Sequence, residues 1–164
     1  MELWDAYDSG FNKIEGVILI RGEKIPDGMF HLVCDVIVRH IDGSYLIMQR
    51  DFRKHYGGMW EATAGGSALK GEVPLECAVR ELREETGIIA KDISEVGRES
   101  DTKTKSNYIE YLCVTDWNKN DITLQDGETV AYKWVSKEEL ISMKNDELVT
   151  ERMQRYVSEL SLPK

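Results

Sequence analysis

Cysteine is scarce and oddly numbered in this sequence. The three residues, Cys34, Cys77 and Cys113, show no C-x-x-C spacing. That argues against a disulfide framework and places them in a buried, reduced core. The three histidines, His31, His40 and His55, lack the H-E-x-x-H spacing of a zinc hydrolase. His31 sits alone in an apolar run, where a structural role is the simpler reading. No apolar run approaches bilayer length; residues 17–20 are typical of the longest. The opening MELWDAYDSG has no basic stretch followed by an apolar one, so no signal peptide is expected. Positive charge is also in deficit, with 21 Lys and Arg against 30 Asp and Glu, a net charge of -9. A broad nucleic-acid-binding face is excluded on that balance, because affinity for phosphate backbones comes from clustered cations. An acidic protein that handles phosphates needs a cation to mediate the contact. Internal repeats and Pro/Gly/Ser-rich linkers are missing too.

What is present is an ordinary globular composition, 41% apolar and 31% charged. The expectation is one domain over residues 1–164 in the reducing cytoplasm, with no membrane partner. Residues 1–30 read as a short β-rich extension in which Leu3, Trp4 and Tyr7 pack, residues 16–21 form a strand and Pro26-Asp27-Gly28 turns the chain. Residues 30–40 read as a core strand, joined through Asp42-Gly43 to residues 45–50 as a hairpin. A helix is expected from Val73-Pro74 to Gly87: proline suits its first turn, Glu72 and Glu76 its positive end, and glycine its left-handed end. Strands follow at 94–100, 108–116 and 130–135. Ser136 with Glu139 is a capping box for a helix at 137–143. Residues 146–160 read as a last helix with an apolar stripe of Leu148, Met153, Val157 and Leu160, packed on its own domain. The order predicts α+β, or an α/β/α sandwich with a mixed central sheet.

The stretch GGSALKGEVPLECAVRELREETGI, from Gly65, holds Glu72, Glu76, Glu81, Glu84 and Glu85 together with Arg80 and Arg83. On a helix Glu84 and Glu85 fall within about 60° on either side of Glu81, while Leu75, Ala78, Val79 and Leu82 gather on another face and dock on the sheet. A solvated face with surface ion pairs accounts for E-x-x-E-E taken alone. The carboxylates also repel one another by a few tenths of a kcal/mol per pair. A divalent cation turns that repulsion into ligation, and Mg²⁺ takes such oxygen donors while sharing its sphere with substrate phosphates.

The full pattern decides between the two. It runs Gly66, five residues, Glu72, seven residues, Arg80-Glu81-Leu82, one residue, Glu84-Glu85, one residue, Gly87-Ile88. This resembles the Nudix box of the Nudix hydrolase superfamily (MutT-like) at every defined position over residues 66–88. Chance agreement is below about one in 10⁸ per start position at usage near 7% per residue. A looser likeness covers Trp4-Asp5, Tyr7-Asp8, His31-Leu32-Val33, Arg50 and Gly58-Met59-Trp60, and is similar to the branch related to isopentenyl diphosphate isomerase.

The resemblance implies a Nudix fold and a hydrolase that uses Mg²⁺ (or Mn²⁺) to cleave a diphosphate linked to a nucleoside, by attack of water on phosphorus. It implies Glu84 and Glu85 as principal metal ligands, with Glu81 a further ligand or the base for water. Arg80 would hold the glutamates, and Glu72 would brace the loop or touch a second metal through water. The Gly66 backbone would lie close to the metal. A carboxylate shortly before a later tryptophan often completes the set; Glu128, six residues before Trp134, is preferred to its rival Asp126. Arg50, Arg53 and Lys54 either meet phosphates or form a solvated basic loop. An isomerase is the alternative, but the thiol and imidazole positions of that family hold Gly65 and Ser67 here. A non-catalytic nucleotide sensor has no need of so complete a carboxylate set. Trp4, Trp60, Tyr108 and Trp134 are read as core rather than as stacking surfaces for a base. Lys103 and Thr104 stand where relatives acting on ADP-ribose carry a proline, and a homodimer through the N-terminal extension is left open.

Overall fold

The computed structural model describes residues 1–163. A separate antiparallel hairpin, β1 (Leu3–Tyr7) and β2 (Lys13–Ile20), precedes the body. Seven further strands form one mixed sheet: β3 (His31–His40), β4 (Tyr45–Arg50), β5 (Trp60–Glu61), β6 (Thr63–Ser67), β7 (Asp92–Asp101), β8 (Ser106–Thr115) and β9 (Thr129–Val135). The helices are α1 (Pro74–Thr86), α2 (Lys137–Ser142) and α3 (Glu151–Leu160).

The expected 30–50 hairpin is present only at its turn. β3 and β4 pair through Arg39 and Tyr45 alone and then diverge. β3 takes β8 in parallel on one side and β6 antiparallel on the other, whereas β4 takes β9 and β5. The two leaves are thereby splayed. The alternation along β3 explains the layering. Leu32, Cys34, Val36 and Val38 face a core shared with Cys77, Ala78 and Leu82 of α1. Ile37 faces the opposite core, with Leu140 of α2 and Met153 and Val157 of α3. The result is the anticipated α/β/α sandwich.

Helix α1 begins and ends where its sequence says. Pro74 is the first helical residue, Glu76 accepts a hydrogen bond from the Val73 N–H (3.2 Å), and Gly87 closes the helix at φ 80°. Its buried face is rotated from the one expected. Leu75 is exposed, and the residues turned inward are Cys77, Ala78, Leu82, Glu85 and Thr86. Helix α2 starts where forecast and shows one half of the expected capping box, with Ser136 Oγ accepting from Glu139 N at 3.0 Å.

The single helix expected over 146–160 is broken. A 3-10 turn at Asn145–Glu147 leads to an extended Leu148 that bridges to Trp60, and α3 starts only after Thr150, whose hydroxyl accepts from Met153 N (3.0 Å). Pairing with the short β5 strand has overridden local helix propensity.

Candidate active site

The glycine-bearing strand β6 and helix α1 meet at one wall of a cavity of about 450 Å³. Gly65, Gly66, Arg80, Glu81, Glu84 and Glu85 line it, together with Lys54 and Glu128 from the loops beside β4 and β9. β6 contacts the α1 carboxylates at van der Waals range because it carries no side chains there. A Cβ on Gly66 would stand 2.6 Å from Glu81 Oε1, and one on Gly65 would collide with the Asp35 carboxylate and the Cys34 carbonyl. Gly65→Ala is therefore expected to cost about 1–3 kcal/mol. Urea denaturation checks this, and an unchanged midpoint would show that the strand shifts freely.

Arg80 is the organiser of the acidic face. Its guanidinium donates to both oxygens of Glu72 (2.7 and 2.9 Å), to Glu81 (2.7 Å), to Glu84 (3.2 Å) and to the Ser67 carbonyl (3.2 Å). Glu72 also accepts from Leu69 N at 2.9 Å, which ties the loop to the helix. Those hydrogen bonds, led by the Glu72 contact, push the Arg80 pKa up.

Glu85 is different. It is 8% exposed, and its one hydrogen bond among the described residues comes from Gly65 N, at 3.3 Å. Burial, then the neighbouring charges of Glu61 and Glu81, push its carboxyl well above the usual range. Burial likewise raises Glu81, Glu61 and Asp35, although Arg80, Arg50 and Arg152 respectively oppose it.

The remaining candidates divide. Glu128 lines the cavity and is ion-paired with Lys54, while its rival Asp126 is fully exposed. Arg50 lies in an adjoining cavity, held by Glu61 (2.8 Å) and the His55 carbonyl (2.6 Å). Arg53 is not brought to either cavity: it forks onto Asp51 (2.9 and 2.6 Å) and stays 71% exposed. Lys54 lines both cavities in its place.

Sequence reasoning did not select Glu61, Arg21, Asp35 or Arg152, all of which line these cavities. Only Asp35 gave a signal, as a charge within the apolar run VCDVIV. It is buried and ion-paired with Arg152 of α3, which also approaches Glu110 (3.4 Å) and covers the Tyr108 ring at 3.6 Å.

His31 lies behind β6, stacked on Trp4 (4.3 Å) and bonded to the hydroxyls of Ser106 (2.7 Å) and Ser67 (3.1 Å). Burial lowers its pKa to about 4, so it is neutral near pH 7. All three cysteines are buried, as expected.

No three acidic, histidine or cysteine side chains among the described residues converge ready to hold an ion, because Arg80 occupies oxygens of Glu72, Glu81 and Glu84. The donor set nevertheless fits a hard divalent cation. It consists of oxygens only, Glu85 at its base is buried and repelled by Glu61 and Glu81, and it lies against a backbone without Cβ atoms.

An α/β/α sandwich with a glycine strand set against a carboxylate-bearing helix is the arrangement expected of a Nudix domain. The family model for the NUDIX domain matches residues 29–159, and the chain belongs to that family. It is 35% identical over 147 residues to a Nudix hydrolase of Listeria monocytogenes, covering 88% of this chain and 86% of the relative. It is 36% identical over 115 residues to the CTP pyrophosphohydrolase of Escherichia coli, covering 69% and 80% respectively. Among solved structures, DR0079 from Deinococcus radiodurans superposes with a TM-score of 0.77 over 98% of this chain and 100% of that one, at 18% identity, a likeness of fold. No helix among the described residues is long and apolar enough to cross a membrane.

Proposed function

We propose that this Nudix hydrolase cleaves the diphosphate linkage of a nucleoside diphosphate derivative with the help of Mg²⁺ (or Mn²⁺). The observation that carries the reading is Glu85: a buried carboxylate without a cationic partner among the described residues, repelled by Glu61 and Glu81 and lining the cavity. Such a group is stable as an anion only beside a positive charge that the protein itself does not supply. Glu85 and Glu84 would hold the ion, with Glu81, the Gly66 backbone and Glu128 as further donors. When bound, the ion supplies charge for the phosphate oxygens and a water of lowered pKa.

The chain's own groups do the rest. Glu81, whose carboxyl is raised by burial, is suited to take the proton of the attacking water at one of its oxygens. Water adds to phosphorus, the bridging P–O bond breaks, and the leaving phosphate carries away the bond's electron pair. Arg80 keeps the glutamates in position through its forked hydrogen bonds. Lys54, at the junction of the two cavities, is better placed than Arg53 to meet a phosphate, and Arg50 borders the second cavity. The reading takes residues 1–164 as a single catalytic domain. The pyrophosphohydrolase relative supports a nucleotide substrate.

The test is chromatographic analysis of the phosphorylated products from nucleoside diphosphates, nucleoside triphosphates, sugar nucleotides and isopentenyl diphosphate, with Mg²⁺ and with excess chelator. Turnover of a nucleotide class that stops with chelator is the expected result. Turnover indifferent to chelator, or isotope exchange into the isoprenoid without phosphate release, would overturn it.

A further inference from the structure

The β1–β2 hairpin lies outside the stretch matched by the family model, yet it is built into the cavity. Two contacts pin it to the loop that leads into α1. Lys70 N donates to the Leu3 carbonyl (2.8 Å), and Gly71 N donates to Asp5 Oδ2 (2.7 Å). The stacking of Trp4 on His31 fixes it against β3. Through this docking Glu2, Trp4 and Arg21 form a wall of the same cavity that the box glutamates line.

The three cations of that cavity are in different states. Arg80 is saturated by carboxylates, and Lys54 is bound to Glu128. Arg21 spends one guanidinium nitrogen, Nη1, on Glu2 Oε2 at 3.0 Å, and its side chain is 67% exposed. The other oxygen of Glu2 accepts from Trp4 Nε1 at 2.7 Å. A buried indole therefore holds Glu2, and Glu2 in turn aims Arg21, leaving the rest of a planar donor fork free. A fork oriented in advance loses little side-chain freedom when it takes a two-oxygen anion such as phosphate. The rest of the wall is dominated by carboxylates that disfavour a bare anion, so among the described residues Arg21 is the cation of this wall with donors to spare.

We propose that Arg21, aimed by Glu2, is a specificity-determining residue that receives a free terminal phosphate, so that the enzyme favours nucleoside di- and triphosphates over diphosphates capped by a sugar. This rests on the hydrolase reading above and names the substrate class of that site.

The experiment compares Arg21→Ala, Arg21→Lys and Glu2→Gln with the unmodified enzyme. Substrates are a nucleoside di- or triphosphate and a sugar nucleotide of the same base, with Mg²⁺ present. For Arg21→Ala, kcat/KM on the uncapped substrate is expected to fall about tenfold, carried by KM, as suits the loss of hydrogen bonds to a charged group. The capped substrate should move less than about twofold on the same grounds. Arg21→Lys, which keeps charge without the fork, and Glu2→Gln, which loosens the aim, should fall between. An unchanged KM for the uncapped substrate, or equal losses on both, overturns the proposal. Binding of non-hydrolysable methylenediphosphonate with Mg²⁺, read by calorimetry, separates it from the hydrolase reading. If the unmodified protein turns nothing over, weaker binding by Arg21→Ala still upholds the anion subsite, and equal binding refutes it.

Discussion

Glu85→Gln should stop turnover, with kcat down about a thousandfold or more, and yet yield a more stable protein in the absence of metal. The loss follows from the proposed role: a ligand that places a divalent cation is worth several kcal/mol at the transition state, and each 1.36 kcal/mol is about tenfold in rate. The gain follows from burial. Desolvation and the charges of Glu61 and Glu81 raise the folded-state pKa of Glu85 above its unfolded value. Between those two values the folded chain binds more protons than the unfolded one, so metal-free stability falls as pH rises through that window. Glutamine keeps the shape, can still accept from Gly65 N, and removes the charge. At pH 8 with chelator a rise of about 2–4 °C in melting temperature is expected, equivalent to about 1 kcal/mol in a chain of this size. Mg²⁺ should stabilise the unmodified protein and leave the variant nearly unmoved. Retained turnover would remove Glu85 from the metal site; a lower metal-free melting temperature would refute the repulsion argument.

Arg152→Ala should be the most damaging change outside the Nudix box. Asp35 is buried, which raises its pKa, and Arg152 is the partner that opposes the rise. Removing one member of a buried pair costs about 3–5 kcal/mol, because the other charge is left unpaired. For a chain of this size that is a fall of roughly 10 °C or more. With Arg152 gone the folded pKa of Asp35 rises further above its unfolded value, so the lost stability should return as pH falls through that raised value. The double change Asp35→Asn, Arg152→Ala should regain much of it at neutral pH. Asp35 is also the β3 partner of Gly65, so turnover should suffer beyond the loss of folded protein. A melting temperature within about 2 °C of the parent's would show that solvent reaches Asp35 and that the pair matters little.

The elements that the sequence made legible are those fixed by neighbours a few residues apart. Pro74 and Gly87 bound α1, Ser136 caps α2, and the apolar run of residues 30–40 marks β3 as a core strand. Two readings fell short for a common reason. The residue 30–50 hairpin held only at its turn, where Arg39 pairs with Tyr45, because β3 found longer partners in β6 and β8; the 146–160 helix was broken because Leu148 was drawn to Trp60. Local propensities differ by fractions of a kcal/mol per residue and yield to such long-range pairing.

The sequence by itself therefore determined the family, the helix that carries Glu81, Glu84 and Glu85 on neighbouring faces, and the glycines that must lie beside it, because spacing along a helix is a local matter. Tertiary structure alone decided which of those glutamates is buried. It rotated α1 so that Glu85 points inward and Leu75 outward, left Arg53 in solvent, and brought Arg21, Lys54, Glu61 and Arg152 to the cavities from distant parts of the chain. Burial and charge are properties of what surrounds a residue, and those surroundings exist only once the sheet has chosen its strand order and the helices have packed on its two faces.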